Sequence, residues 1–460
     1  MSLGARFLRG GCFRWQVAFL LGLLSVCWLA HVARAQGTTS ASKPSPLAQF
    51  VDDADKAGLT MMTVFGGKDS KKFIIETTGT GVAIFDYDND GWPDIFLVNG
   101  TTLEGFPAGK GPTNHLYRNN HDGTFSDVTK QAGLADLSGW GQGACVGDYD
   151  NDGWPDIYIA CDSTASILFR NNHDGTFTDV AVSAGAAYNE DGREQAGMGV
   201  SVGDFNGDGN LDIFKTNFSD DTSTLYRNNG NSTFDDVTFA AGLGLHTQYL
   251  GWGTTFFDFD NDGWPDLLVV NGHVYPEVDK QHLGSTYPEP RILYHNNGNG
   301  TFSDISVEAG PGITAMHAGR GLAVGDLWND GRLSAVISNM NDHPSLLVNQ
   351  VRSANHWIGI RTIGTKSNRD GIGARITVKA GARTLVDEVR SGASYASNND
   401  MRVHFGLGAS VKIDWVQIRW PSGLTERFDD LGVDKIHTIK EGSGKSAEAE
   451  ARPSGGTRSQ

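Results

Sequence analysis

The chain has 460 residues, 39% of them hydrophobic, which is enough for one large core or two medium ones without crosslinks. Its formal charge of −17 argues against nucleic acid and anionic membrane surfaces as partners and for cations held in fixed sites. Sixty glycines against 14 prolines, without a G-X-Y period, predict many tight turns between short strands and an all-β fold.

At the N-terminus, Arg6, Arg9 and Arg14 precede an apolar run over 15–30, and Ala33-Arg34-Ala35 places small residues where a signal peptidase reads. Residues 1–35 therefore read as a cleaved signal peptide, and the mature chain as secreted, periplasmic or held at the cell surface. A single N-terminal anchor is the alternative, because the run is near the lower length limit for a bilayer. No second apolar span follows Ala35, so no stable membrane insertion is expected after cleavage. Only Cys145 and Cys161 then remain, as a disulfide or as two thiols.

Residues 36–49 read as a linker. Beyond them one phrase recurs: Asp86-Tyr-Asp88-Asn-Asp90-Gly91-Trp-Pro-Asp94, again from Asp148, Asp204 and Asp258, and in degraded form from Asp326, at spacings of 62, 56, 54 and 68. A second phrase, Asn119-Asn120-His121-Asp-Gly-Thr-Phe125, recurs out of phase from Asn171, Asn228 and Asn296. The stretches 144–147, 157–160, 167–170 and 176–180 flank these two turns with β-type composition. Four antiparallel strands per period make a propeller blade, and residues 50–350 hold five such periods, with six or seven blades possible if irregular ones intervene. The fifth period lacks its final strand, while Phe50 to Leu59 matches Phe125 to Leu134 at the Phe, Asp and Ala-Gly-Leu positions. That orphan strand is expected to complete the last blade and remove an open edge.

Asp at positions 1, 3 and 5 of a curled loop surrounds one point with carboxylates, Gly at 6 permits the curl, and a carbonyl at 7 with Asp at 9 completes an oxygen cage. Such donors suit Ca²⁺ better than Mg²⁺ or zinc. The expected ligands are Asp86, Asp88, Asp90 and Asp94; Asp148, Asp150, Asp152 and Asp156; Asp204, Asn206, Asp208 and Asp212; and Asp258, Asp260, Asp262 and Asp266. A single Asp-Asn-Asp-Gly is only a turn sequence; four copies in register with a further acid crowd like charges that need a cation. In the fifth loop Trp328 and Ser334 stand at positions 3 and 9, which puts calcium there in doubt. The Asn-Asn-His-Asp-Gly turns read as structural hairpins, His121 and His173 included.

These loops resemble the FG-GAP/VCBS propeller repeats also found in integrin α-chain heads. Residues 355–440 change character, and His356-Trp357, 364–373, His404-Phe-Gly-Leu-Gly408 and 418–423 resemble the ASPIC/UnbV domain of the cartilage acidic protein-like family. The expected architecture is thus an all-β propeller plus a small C-terminal β-sandwich-like domain. Residues 441–460, rich in Ser, Gly, Ala and Glu, are expected to be a disordered tail. The resemblance implies secretion, calcium in the propeller and binding to an extracellular or cell-surface protein or glycan, and it implies no established reaction.

A binding scaffold without catalysis is the leading reading, with the long inserts 99–113 and 273–291 as candidate binding loops. The rival is an enzyme, a lyase, hydrolase or oxidoreductase, with a site in the propeller channel near His317 and Arg320. Between paired glycines at the start of each inner strand stand Thr80, Gln142, Met198, Trp252 and Arg320, which would line that channel. No nucleophile, general base or paired carboxylate outside the loops accompanies them. In the C-terminal domain, Arg369 and Asp370 within 367–371 form a candidate ligand loop or a solvated turn.

Overall fold

A computed structural model describes residues 46–447 except 89, 108–109, 132–144, 148, 151–155, 160–165, 172–176, 194–196 and 282–284. The signal segment, Gln142, most of the second Asp loop, Cys161 and His173 lie outside the described residues. Among the described residues no helix is long and apolar enough to cross a membrane.

Each repeat period builds one four-stranded antiparallel sheet, five in all among the described residues. The first holds Val82–Phe85, Asp94–Leu97, His115–Asn119 and Phe125–Asp127; the second Cys145–Gly147, Asp156–Ile159, Ile167–Asn171 and Phe177–Asp179. The third holds Val200–Gly203, Asp212–Lys215, Thr224–Asn228 and Phe234–Asp236, and the fourth Gly251–Phe257, Asp266–Asn271, Ile292–Asn296 and Phe302–Asp304. The fifth joins Gly319–Gly325, Ser334–Asn339 and Ser345–Asn349 to the N-terminal strand Phe50–Asp52. Phe50 pairs with Asn349, Val51 with Val348 and Asp52 with Leu347, so the chain's two ends share a blade, as the sequence match predicts. Among the described residues the inner strands of the second and third, third and fourth, and fourth and fifth blades pack together, and the fifth packs on the first, as in a propeller.

The inner strand of the fifth blade, Gly319–Gly325, and the second strand of the fourth, Asp266–Asn271, bury every residue, covered on both faces by neighbouring blades. The core is a series of layers between blades. Phe257, Leu268, Leu322, Val324 and Ile337 pack with Phe50 and Ala48 in one, and Phe205, Phe214, Leu267 and Tyr294 in another. Between these layers runs a polar staple. Asn119 Nδ2 donates to Leu327 O at 2.9 Å, Asn228 Nδ2 to Tyr149 O at 2.7 Å, Asn296 Nδ2 to Phe205 O at 2.8 Å and Asn349 Nδ2 to Phe259 O at 2.7 Å. Each Asn ends the third strand of its blade, and each accepting carbonyl is position 2 of the neighbouring blade's Asp loop. The buried carbonyl needs a donor in any case, and the repeated amide supplies it.

In the C-terminal domain His356–Ile363 lies between Val403–Gly408 (antiparallel) and Lys435–Lys440 (parallel). The facing sheet runs Arg383–Glu388, Arg375–Ala380, Trp415–Arg419, Thr425–Phe428, Lys445–Ser446. One core of Ile358, Ile360, Ile376, Val378, Val416, Ile418 and Trp420 fills the space between them, as in a β-sandwich.

The tail requires a correction: order persists past residue 440, since Lys445 and Ser446 pair with Arg427 and Glu426. Its anchor is a carboxylate, which hydropathy cannot register. Glu441 is 4% exposed and accepts N–H groups from Thr365, Lys366 and Ser367 at 2.6–2.9 Å and the Ser367 hydroxyl at 3.0 Å.

A segment of this domain enters the channel. Ser394 exchanges both backbone hydrogen bonds with Val200, Asn398 bonds Val82 and Ile84, and Asp400 N–H donates to Val324 O at 3.0 Å. Thr254 N–H donates to Ser394 Oγ at 3.0 Å, and Asn399 Nδ2 to Thr255 Oγ1 at 2.9 Å. Residues 394–400 thus satisfy the free edges of four inner strands. Tyr395 sits edge-on to Trp252 at 4.8 Å. Gly81 lies so close that a Cβ there would stand 1.6 Å from Ala396 O.

Candidate metal centres and the face they occupy

The described Asp loops, the first, third, fourth and fifth, each join an inner strand to the second strand and so share one face of the ring, and the described parts of the inserts 99–113 and 273–291, which join second to third strands, share the opposite one. The loop shape is set by its own backbone. The position 1 carboxylate accepts N–H from positions 5 and 6: Asp86 from Asp90 and Gly91, Asp204 from Asp208 and Gly209, Asp258 from Asp262 and Gly263, Asp326 from Asp330 and Gly331, at 2.7–3.1 Å. Gly91, Gly209, Gly263 and Gly331 have φ of 80–92°, a conformation favouring glycine. The fifth loop keeps this shape although it has lost two acids.

In the first loop, carboxylate oxygens of Asp86, Asp88 and Asp90 lie within 4.8 Å of one another, as do those of Asp258, Asp260 and Asp266 in the fourth. A ligand atom each from Asp260, Asp262 and His295 forms an overlapping group. The third loop has an amide where others have an acid, and Asn206 Nδ2 donates to Asp208 Oδ2 at 3.0 Å. Position 9 also has a structural task. Asp94 accepts N–H from Tyr87 and Asn119, Asp212 from Phe205 and Asn228, and Asp266 from Phe259 and Asn296. Asp94 stands outside the first loop's three-acid group, whereas Asp266 joins that of the fourth.

Burial, with neighbouring acids adding, pushes Asp94 up to about 6 and Asp204 to about 7. Asp266 also rises to about 7, and burial beside Asp266, Asp262 and Asp260 raises Asp258 well above the usual range. Carboxylates crowded in this way resist ionising together, and a divalent cation among them removes the penalty. The groups offer mainly oxygen donors, which fits Ca²⁺. The second loop's four ligands lie at or beyond the limits of the described residues.

The C-terminal domain sits on the loop face and presents four arginines to four loops. Arg361 pairs with Asp86 at 3.1 Å, Arg375 donates to Gly209 O, and Arg383 donates to Asp262 O at 2.7 Å and to Gly263 O while lying over the Trp264 ring at 4.2 Å. Arg402 donates to Asp326 O at 2.7 Å and to Asn329 Oδ1 at 2.6 Å. At the fifth loop a guanidinium therefore meets the loop that has lost two carboxylates, and Trp328 packs against Phe125 at 5.7 Å as a core residue.

Residues 364–446 match the family described as ASPIC and UnbV, and 86–159, 148–215 and 216–269 match the FG-GAP-like repeat. This chain is an FG-GAP-repeat propeller carrying an ASPIC and UnbV domain. It is homologous to cartilage acidic protein 1, at 27% identity over 312 residues to the Xenopus tropicalis protein, covering 65% of this chain and 44% of the relative. To the Homo sapiens protein it is 28% identical over 311 residues, covering 65% and 43%. The chain spans less than half the length of these relatives. Among solved structures, an Agrocybe aegerita lectin described as recognising non-reducing terminal N-acetylglucosamine aligns at 23% identity with a TM-score of 0.23, covering 55% of this chain and 59% of that one.

The remaining candidates of this FG-GAP propeller have structural partners. His121 bonds Asp90 at 2.9 Å and stacks on Trp92 at 4.5 Å. His317 and Arg320, suspected as a pair, have different partners. His317 bonds Asp342 at 3.0 Å, while Arg320, fully buried over Trp252 at 4.1 Å, donates to the carbonyls of Thr77, Gly272, Gly319 and His273. Thr80, Trp252 and Arg320 are buried. In 367–371, Arg369 and Asp370 point to solvent while the turn's backbone encloses Glu441 and its own Gly364 and Thr362. Sequence reasoning missed two features. The stapling Asn had a signal, since it recurs at 119, 171, 228, 296 and 349, even where the rest of its phrase is lost. The docking arginines had none, for nothing in the chain places one domain on the other.

Proposed function

We propose that this protein is a secreted, calcium-stabilised propeller scaffold, without catalysis, that holds an extracellular or cell-surface protein or glycan. The observation that carries the reading is the convergence of Asp86, Asp88 and Asp90, and of Asp258, Asp260 and Asp266, each as three carboxylates around one point. Secretion is supported by the N-terminal sequence pattern and by the relatives named above. The proposed partner site is the face opposite the one on which the second domain sits, and the exposed Leu103, Phe106 and Tyr275 of the inserts support it.

Calcium that binds only the folded ring adds RT ln(1 + [Ca²⁺]/Kd), about 2.7 kcal/mol per loop at ~100-fold saturation. Titration calorimetry with elemental analysis tests this. Asp260→Ala should remove about one ion and Asp326→Ala none; calcium-free parent protein, or equal losses from both variants, refutes it.

A further inference from the structure

The first and fourth Asp loops have the same sequence at positions 1 to 9 except Phe259 in place of Tyr87, yet their surroundings differ. In the first, Asp88 and Asp90 are exposed. In the fourth, Asp258 is 7% and Asp260 8% exposed and Asp262 is half-buried, while position 9 is buried in both loops, Asp94 and Asp266 alike. What covers the fourth loop is the strand Val403–Gly408, which carries the His-Phe-Gly-Leu-Gly run. Gly406 lies flat against the loop: a Cβ there would stand 2.0 Å from Asp258 Oδ2 and 2.6 Å from two backbone carbons of Asn261. Its nearest neighbours in space are all propeller atoms.

On either side of Gly406, His404 Nε2 meets Asn261 Oδ1 at 2.6 Å and Gly408 N–H donates to Asn261 O at 2.9 Å. Asn261 in turn donates to Gly331 O in the fifth loop at 2.9 Å. Arg383 adds contacts to Asp262 O, Gly263 O and the Trp264 ring. The contacts go mainly to backbone carbonyls and to the position 4 amide, and they leave the carboxylates of Asp260 and Asp266 facing each other beneath.

We propose that the strand Val403–Gly408 is a lid on the fourth Asp loop, so that this loop holds its cation in slow exchange while the first loop exchanges freely. The inference rests on the calcium reading and adds to it a task for the C-terminal domain. A cation in the fourth loop can leave only if the lid lifts, and that requires the His404, Gly408 and Arg383 contacts to break together.

The test uses the full mature chain loaded with ⁴⁵Ca²⁺, chased with excess EGTA and sampled by rapid desalting. The lid predicts a retained fraction that leaves at least tenfold more slowly than the rest, is absent in Asp260→Ala and persists in Asp88→Ala. Gly406→Ala drives a methyl into Asp258 and should speed its loss tenfold or more. Arg383→Gln, which adds no bulk, should accelerate it in the same direction should Gly406→Ala fail to fold. Calcium lost in a single fast phase, or a slow phase unchanged in Arg383→Gln and Gly406→Ala, overturns the lid alone. Protein that retains no calcium before the chase overturns the lid together with the calcium reading.

Discussion

Replacing Asn296 by Ala should destabilise the ring far more than the same change at its neighbour Asn297. Asn296 is 1% exposed, and its amide donates to Phe205 O across the blade boundary at 2.8 Å and to Pro265 O at 2.9 Å, while its Oδ1 accepts Gly298 N–H at 3.0 Å. Truncation removes three hydrogen bonds of about 1 kcal/mol each and leaves buried carbonyls unpaired, for a total of about 3–5 kcal/mol. Asn297 bonds only Thr301 and Ser303 in an exposed hairpin, so its loss should stay under about 1 kcal/mol. An unfolding entropy of roughly 2.1 cal/mol/K per residue over about 400 residues converts the larger figure into a Tm drop of about 4–6 °C. Differential scanning calorimetry of the two variants decides the matter. A Tm for Asn296→Ala no lower than that of Asn297→Ala would refute the staple.

Two further outcomes follow from the ends of the chain. Burial opposes charge on Glu441, but hydrogen bonds from Ser422 and from the backbone of Ser367, Thr365 and Lys366 outweigh it and bring its pKa from 4.5 to about 2. Because the folded pKa lies below the unfolded one, its contribution is present above about pH 4.5 and is lost as pH falls toward 2. Glu441→Gln should therefore cost about 1–2 kcal/mol at pH 7 by urea denaturation, with the gap to wild type shrinking at pH 3; a gap independent of pH would refute it. Deleting residues 46–52 removes Ala48 and Phe50 from the layer between the fourth and fifth blades and exposes an edge, so it should cost at least the ~3–5 kcal/mol of a core Phe truncation. Equal melting of truncated and full-length protein would show that the strand does not hold the ring.

The repeats were legible because each blade is specified locally. The period-two strands, the Gly at position 6 and the Asp at position 9 serve contacts within about a hundred residues of themselves, and identical local problems recur with identical residues. The pairing of Phe50–Asp52 with Ser345–Asn349 could be read for the same reason, as a missing copy at one end and a surplus copy at the other. Even the doubt over the fifth loop came from two residues, Trp328 and Ser334, measured against four better copies.

What the sequence alone determined was therefore the sheet plan, the position of the acids and the break near residue 355. Only the tertiary structure decided that residues 394–400 enter the channel, that four arginines meet four loops, and that two nearly identical loops end in different surroundings. Those contacts join segments more than 300 residues apart, as in Val82 with Ser397 at a separation of 315, and each occurs once. A contact made once, between surfaces that complement each other only in three dimensions, leaves no period in the chain, since its partners are matched by shape and charge at the interface rather than by spacing along the backbone.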